Sequence, residues 1–198
     1  MQVRLSAERL RARLGEDLSP PTVLACAALL FLADWAYQRS GDSVFPSGPL
    51  DETAHFLTAL LMLQWIPAQH RVKIIVPALI ASVAIDLDHI PQYLGYRFLT
   101  DGTPRPYTHS LMTPLVLLAL AVAVRRYRAI FVGLALGVML HFFRDLAEGN
   151  GSGVALLWPF TDHAFSYPHS TYLALMACVV AADLCLGFLS RRKRVALQ

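Results

Sequence analysis

The run Arg128-Ala-Ile-Phe-Val-Gly-Leu-Ala-Leu-Gly-Val-Met-Leu-His141-Phe-Phe-Arg-Asp145 decides the fold. It comes close to the roughly 20 apolar residues that a membrane-spanning helix needs. His141 and Asp145 sit near its end, four residues apart, so both fall on one helix face, one turn from each other. Polar groups of this kind at the end of an apolar helix are costly unless they find partners.

Five further apolar stretches flank this one, at roughly 21–38, 54–68, 72–88, 109–124 and 170–190. The first and last approach spanning length. The second and third are shorter and are joined by a tight Pro67–His70 turn. Pro77 and Pro114 are expected as kinks, tolerable in a membrane bundle. Hydrophobic residues make up 56% of the 198 and charged residues 16%. Soluble domains run at about 45–50% and about 25%, so the composition excludes disorder and points to a membrane protein. Cys26, Cys178 and Cys185 all lie in apolar runs, which excludes a disulfide scaffold. The expected fold is all-α, one domain over residues 1–198, built as an integral membrane bundle of about six transmembrane helices. A basic tail occupies residues 1–20, and a long loop at 146–169 is placed to act as a lid.

Charge sets the topology. Arg4, Arg9, Arg11 and Arg13, then Arg71 and Lys73, then Arg125, Arg126 and Arg128, then Arg191, Arg192, Lys193 and Arg194 place 13 of the 17 basic residues on one side. The positive-inside rule then puts both termini in the cytoplasm. Short basic clusters between apolar runs are not a groove for nucleic acid. The Arg-rich start followed by Thr22–Ala33 also resembles a signal peptide, but the run continues past Asp34 into Trp35 and Tyr37, which suit an interfacial anchor. Leu10, Leu14 and Leu18 among arginines read either as an amphipathic helix on the inner leaflet or as a solvated tail.

Six of the seven histidines and nine of the 14 acidic residues fall on the opposite, extracytoplasmic side. His55 opens the second segment, Asp86, Asp88 and His89 close the third, His109 opens the fourth, and His141 and Asp145 close the fifth. Each alone reads as a cap or a turn. Together, seven donors from four helices converge at one end, and they are the expected metal ligands. Imidazole and carboxylate without thiolate suit Zn²⁺ or Mn²⁺. Seven donors exceed one four-coordinate site, so two ions are expected, an arrangement that suits phosphoester cleavage. Asp88 and Glu148 are candidate catalytic groups. Arg105 and Ser110 are candidates for binding substrate, Arg105 by gripping a phosphate oxygen. Thr108 reads as a bond donor to a ligand or as the N-cap of the fourth segment. Asp162, His163 and His169 are weaker candidates in the long loop, whose Trp158-Pro159-Phe160 suits the membrane interface.

The ordered set of His55, Asp86-x-Asp88-His89-x-Pro91, Arg105 through Thr108-His109-Ser110, His141-x-x-x-Asp145 and Leu156-Leu157-Trp158-Pro159-Phe160 with Asp162 resembles the YdjM-like family of inner-membrane metal-dependent hydrolases, over roughly residues 50–190. That family is also described as LexA-binding, for which no motif is identifiable here. The resemblance implies an inner-membrane location and a distant similarity to zinc-dependent phospholipase C and P1-type nucleases, helical enzymes with clustered His/Asp zinc sites. The family often has His-Arg-Gly before Thr-His-Ser, where this chain has Pro104-Arg105-Pro106. The expected function is hydrolysis of a phosphoester in a lipid or lipid-linked substrate, with membrane lipids as partners. A metal or proton transporter and a metal-stabilised scaffold are the alternatives. Transport calls for buried charge in the cytoplasmic half, where Asp34 and Asp183 are the candidates.

Overall fold

A computed structural model describes residues 18–41, 44–66, 70–149 and 153–196, the side chains of Arg71 and of 189–196 excepted. The expected amphipathic stretch around Leu10 and Leu14, the four N-terminal arginines, Asp42 and most of the Pro67–His70 turn lie outside the described residues.

Six long helices carry the chain: α1 (Pro20–Tyr37), α2 (Val44–Met62), α3 (Arg71–Ala84), α4 (Met112–Ala123), α5 (Arg128–Asp145) and α6 (His169–Ala196). No strand occurs among the described residues, only two isolated bridges that pin the loop before α6. Ser19 caps α1, its hydroxyl accepting from the Thr22 N–H, and Pro20 supplies a ready-made first turn. Pro114 lies in the first turn of α4, because that helix starts at Met112 rather than at His109. A missing N–H costs nothing there, so the expected mid-helix kink does not arise. Thr108 is not the N-cap either: Leu111 holds that position.

Val72–Tyr93, Arg125–Asp145, Pro20–Tyr37 and His169–Phe188 are long and apolar enough to cross a membrane. The other two helices fall short of the six expected spans. α4 has 12 residues, about 18 Å of helix. α2 opens on Pro46, Pro49, Asp51 and Glu52.

α5 packs along α3 and α4, while α1, α2 and α6 form the other side of the bundle. Val23, Leu30, Leu57, Leu61, Tyr172 and Met176 join α1, α2 and α6 in one core. Ala59, Leu63, Ile75, Ala78 and Leu140 join α2, α3 and α5 in another. Large apolar side chains also cover the outside, among them Leu32, Leu115, Val122, Leu175 and Phe188. Such a surface fits lipid, not water. Successive helices alternate in direction. The end of α1, the start of α2, the end of α3, the turn before α4, the end of α5 and the start of α6 therefore meet at one end of the bundle. The basic residues at the α4–α5 connection lie at the other end.

Candidate metal centre

α5 delivers His141 and Asp145 from its last turn, with Nε2 3.0 Å from Oδ2. α3 stops at Ala84, and the chain tightens into a 3₁₀ turn over Ile85–His89. With three residues per turn, Asp86 and His89 fall on one side. His89 Nδ1 lies 3.3 Å from Asp86 Oδ1 and 3.0 Å from Asp88 Oδ1. The turn before α4 supplies His109, whose Nε2 is 3.1 Å from Asp86 Oδ1 and whose Nδ1 is 3.3 Å from Asp88 Oδ2. From α2, His55 stacks flat on His141 with ring centroids 3.8 Å apart, its Nε2 3.3 Å from Asp145 Oδ1. Two donor groups result, Asp86–Asp88–His89–His109 and His55–His141–Asp145. A third, Asp51–His55–Asp86, shares one member with each; within every group the donor atoms lie within 4.8 Å of one another. All seven expected ligands are thus brought together.

The residues fit a cation. His141 Nδ1 is 2.9 Å from the Ser82 carbonyl oxygen. A proton on Nδ1 satisfies that bond and turns the bare Nε2 lone pair inward. There it faces Asp145 Oδ2 and, at 3.4 Å, Asp86 Oδ1. Lone pairs facing one another in a buried site need a proton or a cation between them. Both ring nitrogens of His55, which is fully buried, also have no hydrogen-bond partner. The donor set of imidazole and carboxylate matches Zn²⁺ or Mn²⁺.

Beside the donors opens a cavity of ≈ 290 Å³, bordered by Tyr37, Asp51, Glu52, Asp86, His89 and Arg105. Arg105 reaches Asp145 Oδ2 with one guanidinium nitrogen at 2.9 Å. Burial works against its charge, but Asp145 and then Asp86 hold it above its ordinary value. Burial, followed by the negative charge of Asp86, pushes the Glu52 carboxyl up to about 8.

The model of the YdjM inner membrane protein family matches residues 51–197. The chain belongs to that family. No curated protein matches it, and no solved structure does. In this YdjM-family chain the match takes in every expected donor and leaves α1 outside.

Several expected site residues stand elsewhere. Ser110 is buried, and its hydroxyl donates to the Tyr107 carbonyl, so it presents nothing to a substrate. Glu148 is exposed in the turn after α5 and does not border the cavity. The helix ends at Asp145, so a residue three positions on no longer shares its face. Asp162 and His163 are exposed, and the His163 ring packs edge-on against Phe165. His169 sits at the start of α6 with Nε2 2.9 Å from Asp34 Oδ2. Asp34 is therefore at the donor end of the bundle, away from the half in which a transport path calls for it. Thr108 donates its hydroxyl to Asp88, the outer-partner role. Sequence reading missed Asp51, Glu52 and Arg144. Asp51-x-x-x-His55 repeats the His141-x-x-x-Asp145 spacing in reverse, and that was the available signal. Glu52 is one residue further along the same turn.

Proposed function

We propose that this protein is a membrane-bound metal-dependent hydrolase that cleaves a phosphoester of a lipid or lipid-linked substrate. Its site faces the extracytoplasmic side, with both termini in the cytoplasm. The observation that carries the reading is the meeting of seven imidazole and carboxylate donors from four parts of the chain at one end of an apolar bundle.

The two donor groups would each hold an ion. Bound divalent cations supply Lewis acidity, which polarises a phosphoryl oxygen and acidifies water. The chain's own residues do the rest. Ser82 and Thr108 orient His141 and Asp88. Arg105 pairs with Asp145 and also borders the cavity, which places its guanidinium to meet phosphate oxygens. Glu52 borders the same cavity, where it would exchange a proton with a reacting group.

The surroundings favour a lipid. Tyr107 stacks on Trp158 at 4.3 Å, and Phe160 is 85% exposed. Aromatic side chains of this kind settle at headgroup depth. A wholly apolar groove between α4 and α5 starts at Leu111, two residues past His109, and runs over Leu115, Leu118, Leu136 and Met139. A groove that begins so close in the chain to His109 suits an acyl chain.

Elemental mass spectrometry of detergent-purified protein, beside the His141→Ala variant, tests the reading. About two transition-metal ions per chain, fewer in the variant, together with turnover of a lipid phosphoester, are expected. Protein that holds no metal, and takes up neither Zn²⁺ nor Mn²⁺, would overturn it.

A further inference from the structure

We propose that Asp51 is an additional donor of the metal centre, held in place by a buried Asp34–Arg144 relay that links it to α1 and α6. The inference rests on the metal-centre reading.

Asp51 lies one turn before His55 on α2. Its Oδ1 is 3.8 Å from His55 Nε2, a fully buried nitrogen without a hydrogen-bond partner. Asp51 forms a donor group with His55 and Asp86 and so connects the two larger groups. A carboxylate with one side on a cation needs an outer partner that fixes its orientation, and Arg144 is placed for that. Next to Asp145 on α5, it turns about 100° away from it around the helix and leaves the donor cluster for the seam with α1 and α2. It is fully buried. One guanidinium nitrogen donates to Asp51 Oδ1, the same oxygen that faces His55, and the other donates to Asp34 Oδ1 at 3.2 Å. Its guanidinium carbon stands 5.2 Å from the centre of the Tyr37 ring. Asp34 is held in turn by His169 on α6 at 2.9 Å.

A buried ion pair is a poor way to gain stability, since apolar residues of similar volume do as well or better. A relay that spans α1, α2, α5 and α6 and ends on a carboxylate beside His55, whose ring nitrogens have no hydrogen-bond partner, is better explained by orientation of that carboxylate. Arg144 and Asp34 are then positioning residues. α1, which precedes the family match at residues 51–197, contributes to the site through Asp34.

The test uses the full chain in detergent, stripped of metal and titrated with Co²⁺ alone. The readouts are the Co²⁺ dissociation constant, the visible absorption band and the melting temperature without metal. Asp51→Asn is expected to weaken Co²⁺ binding by about 10–100-fold and to shift the band. Asp34→Asn and Arg144→Lys are expected to weaken it by about 10-fold. A purely structural relay would lower the metal-free melting temperature and leave band and affinity unchanged, which overturns the proposal. If Asp51→Asn does not fold, Asp51→Glu keeps the charge for Arg144 and displaces the donor oxygen: a shifted band supports the assignment, an unchanged one overturns it. Wild-type protein that binds no Co²⁺ overturns this proposal and the metal centre together. Co²⁺ binding with these shifts but without phosphoester turnover supports the role of Asp51 and overturns the hydrolase reading alone.

Discussion

The two halves of α5 are held in opposite ways. In the first half and up to the midpoint, Gly133 and Gly137 bring the backbone against α3. A methyl group at Gly133 would lie 2.5 Å from the Ile74 carbonyl oxygen, and one at Gly137 would meet the Ala78 carbonyl oxygen more closely still. In the second half His141, Arg144 and Asp145 replace backbone contact with charged and lone-pair contacts to four other parts of the chain, the Asp86 turn, α1, α2 and the Arg105 loop. The first half needs no ligand, because close packing is its own stabilisation. The second half gathers ion pairs and facing lone pairs, the latter needing a proton or a cation between them. The contrast teaches that a close-packed backbone interface below makes a buried polar cluster above possible. The donors ride on a helix whose height and rotation α3 has already set.

Variants can break or sharpen that contrast. The largest effect is expected among the donors that meet the polar half. Asp88→Ala, in the 3₁₀ turn after α3, should reduce phosphoester turnover by more than about a thousandfold, about 4 kcal/mol of barrier, while circular dichroism shows the helices intact. Full activity would remove Asp88 from the mechanism.

Gly137→Ala comes next. Its methyl group meets backbone that cannot rotate away, so α3 and α5 must separate, at about 1–3 kcal/mol of stability. Metal affinity should fall with it, since both donors move with α5. A melting temperature that drops while Co²⁺ affinity holds would show that the two halves are independent.

Arg105→Ala should raise KM for a phosphoester about tenfold, about 1.4 kcal/mol, with a smaller change in kcat. Equal loss in kcat and kcat/KM would instead assign Arg105 to the transition state. Leu115→Trp fills the apolar groove and should raise KM several-fold for a long-chain lipid phosphoester, leaving a short-chain soluble one unaffected; equal effects on both would empty the groove of meaning. Glu148→Gln should change turnover and stability least, within about 0.5 kcal/mol as for other exposed positions. A large loss there would return Glu148 to the site.

Much of the site was legible in the sequence because its parts sit at helix ends. His141-x-x-x-Asp145 could be placed on one face by the helical period, and alternation of six apolar runs put its partners at the same end. Legibility stopped where the backbone left regular helix. Glu148 follows the end of α5, Ser110 and Thr108 lie in a turn whose hydrogen bonds the helical period does not describe, and α4 begins three residues after His109. Those positions depend on contacts such as the Leu111 N–H donating to the Leu156 carbonyl, far apart in sequence.

The sequence by itself determined that this chain is an apolar helical bundle with basic and donor-rich ends kept apart, because hydropathy and helical spacing are local properties and lipid imposes them one segment at a time. The tertiary structure decided which way Arg144 turns, that Asp34 meets both Arg144 and His169, and that Asp51 and Glu52 border the cavity. Those outcomes depend on the rotation of each helix about its axis, which is set by packing against its neighbours, and no local spacing encodes that angle.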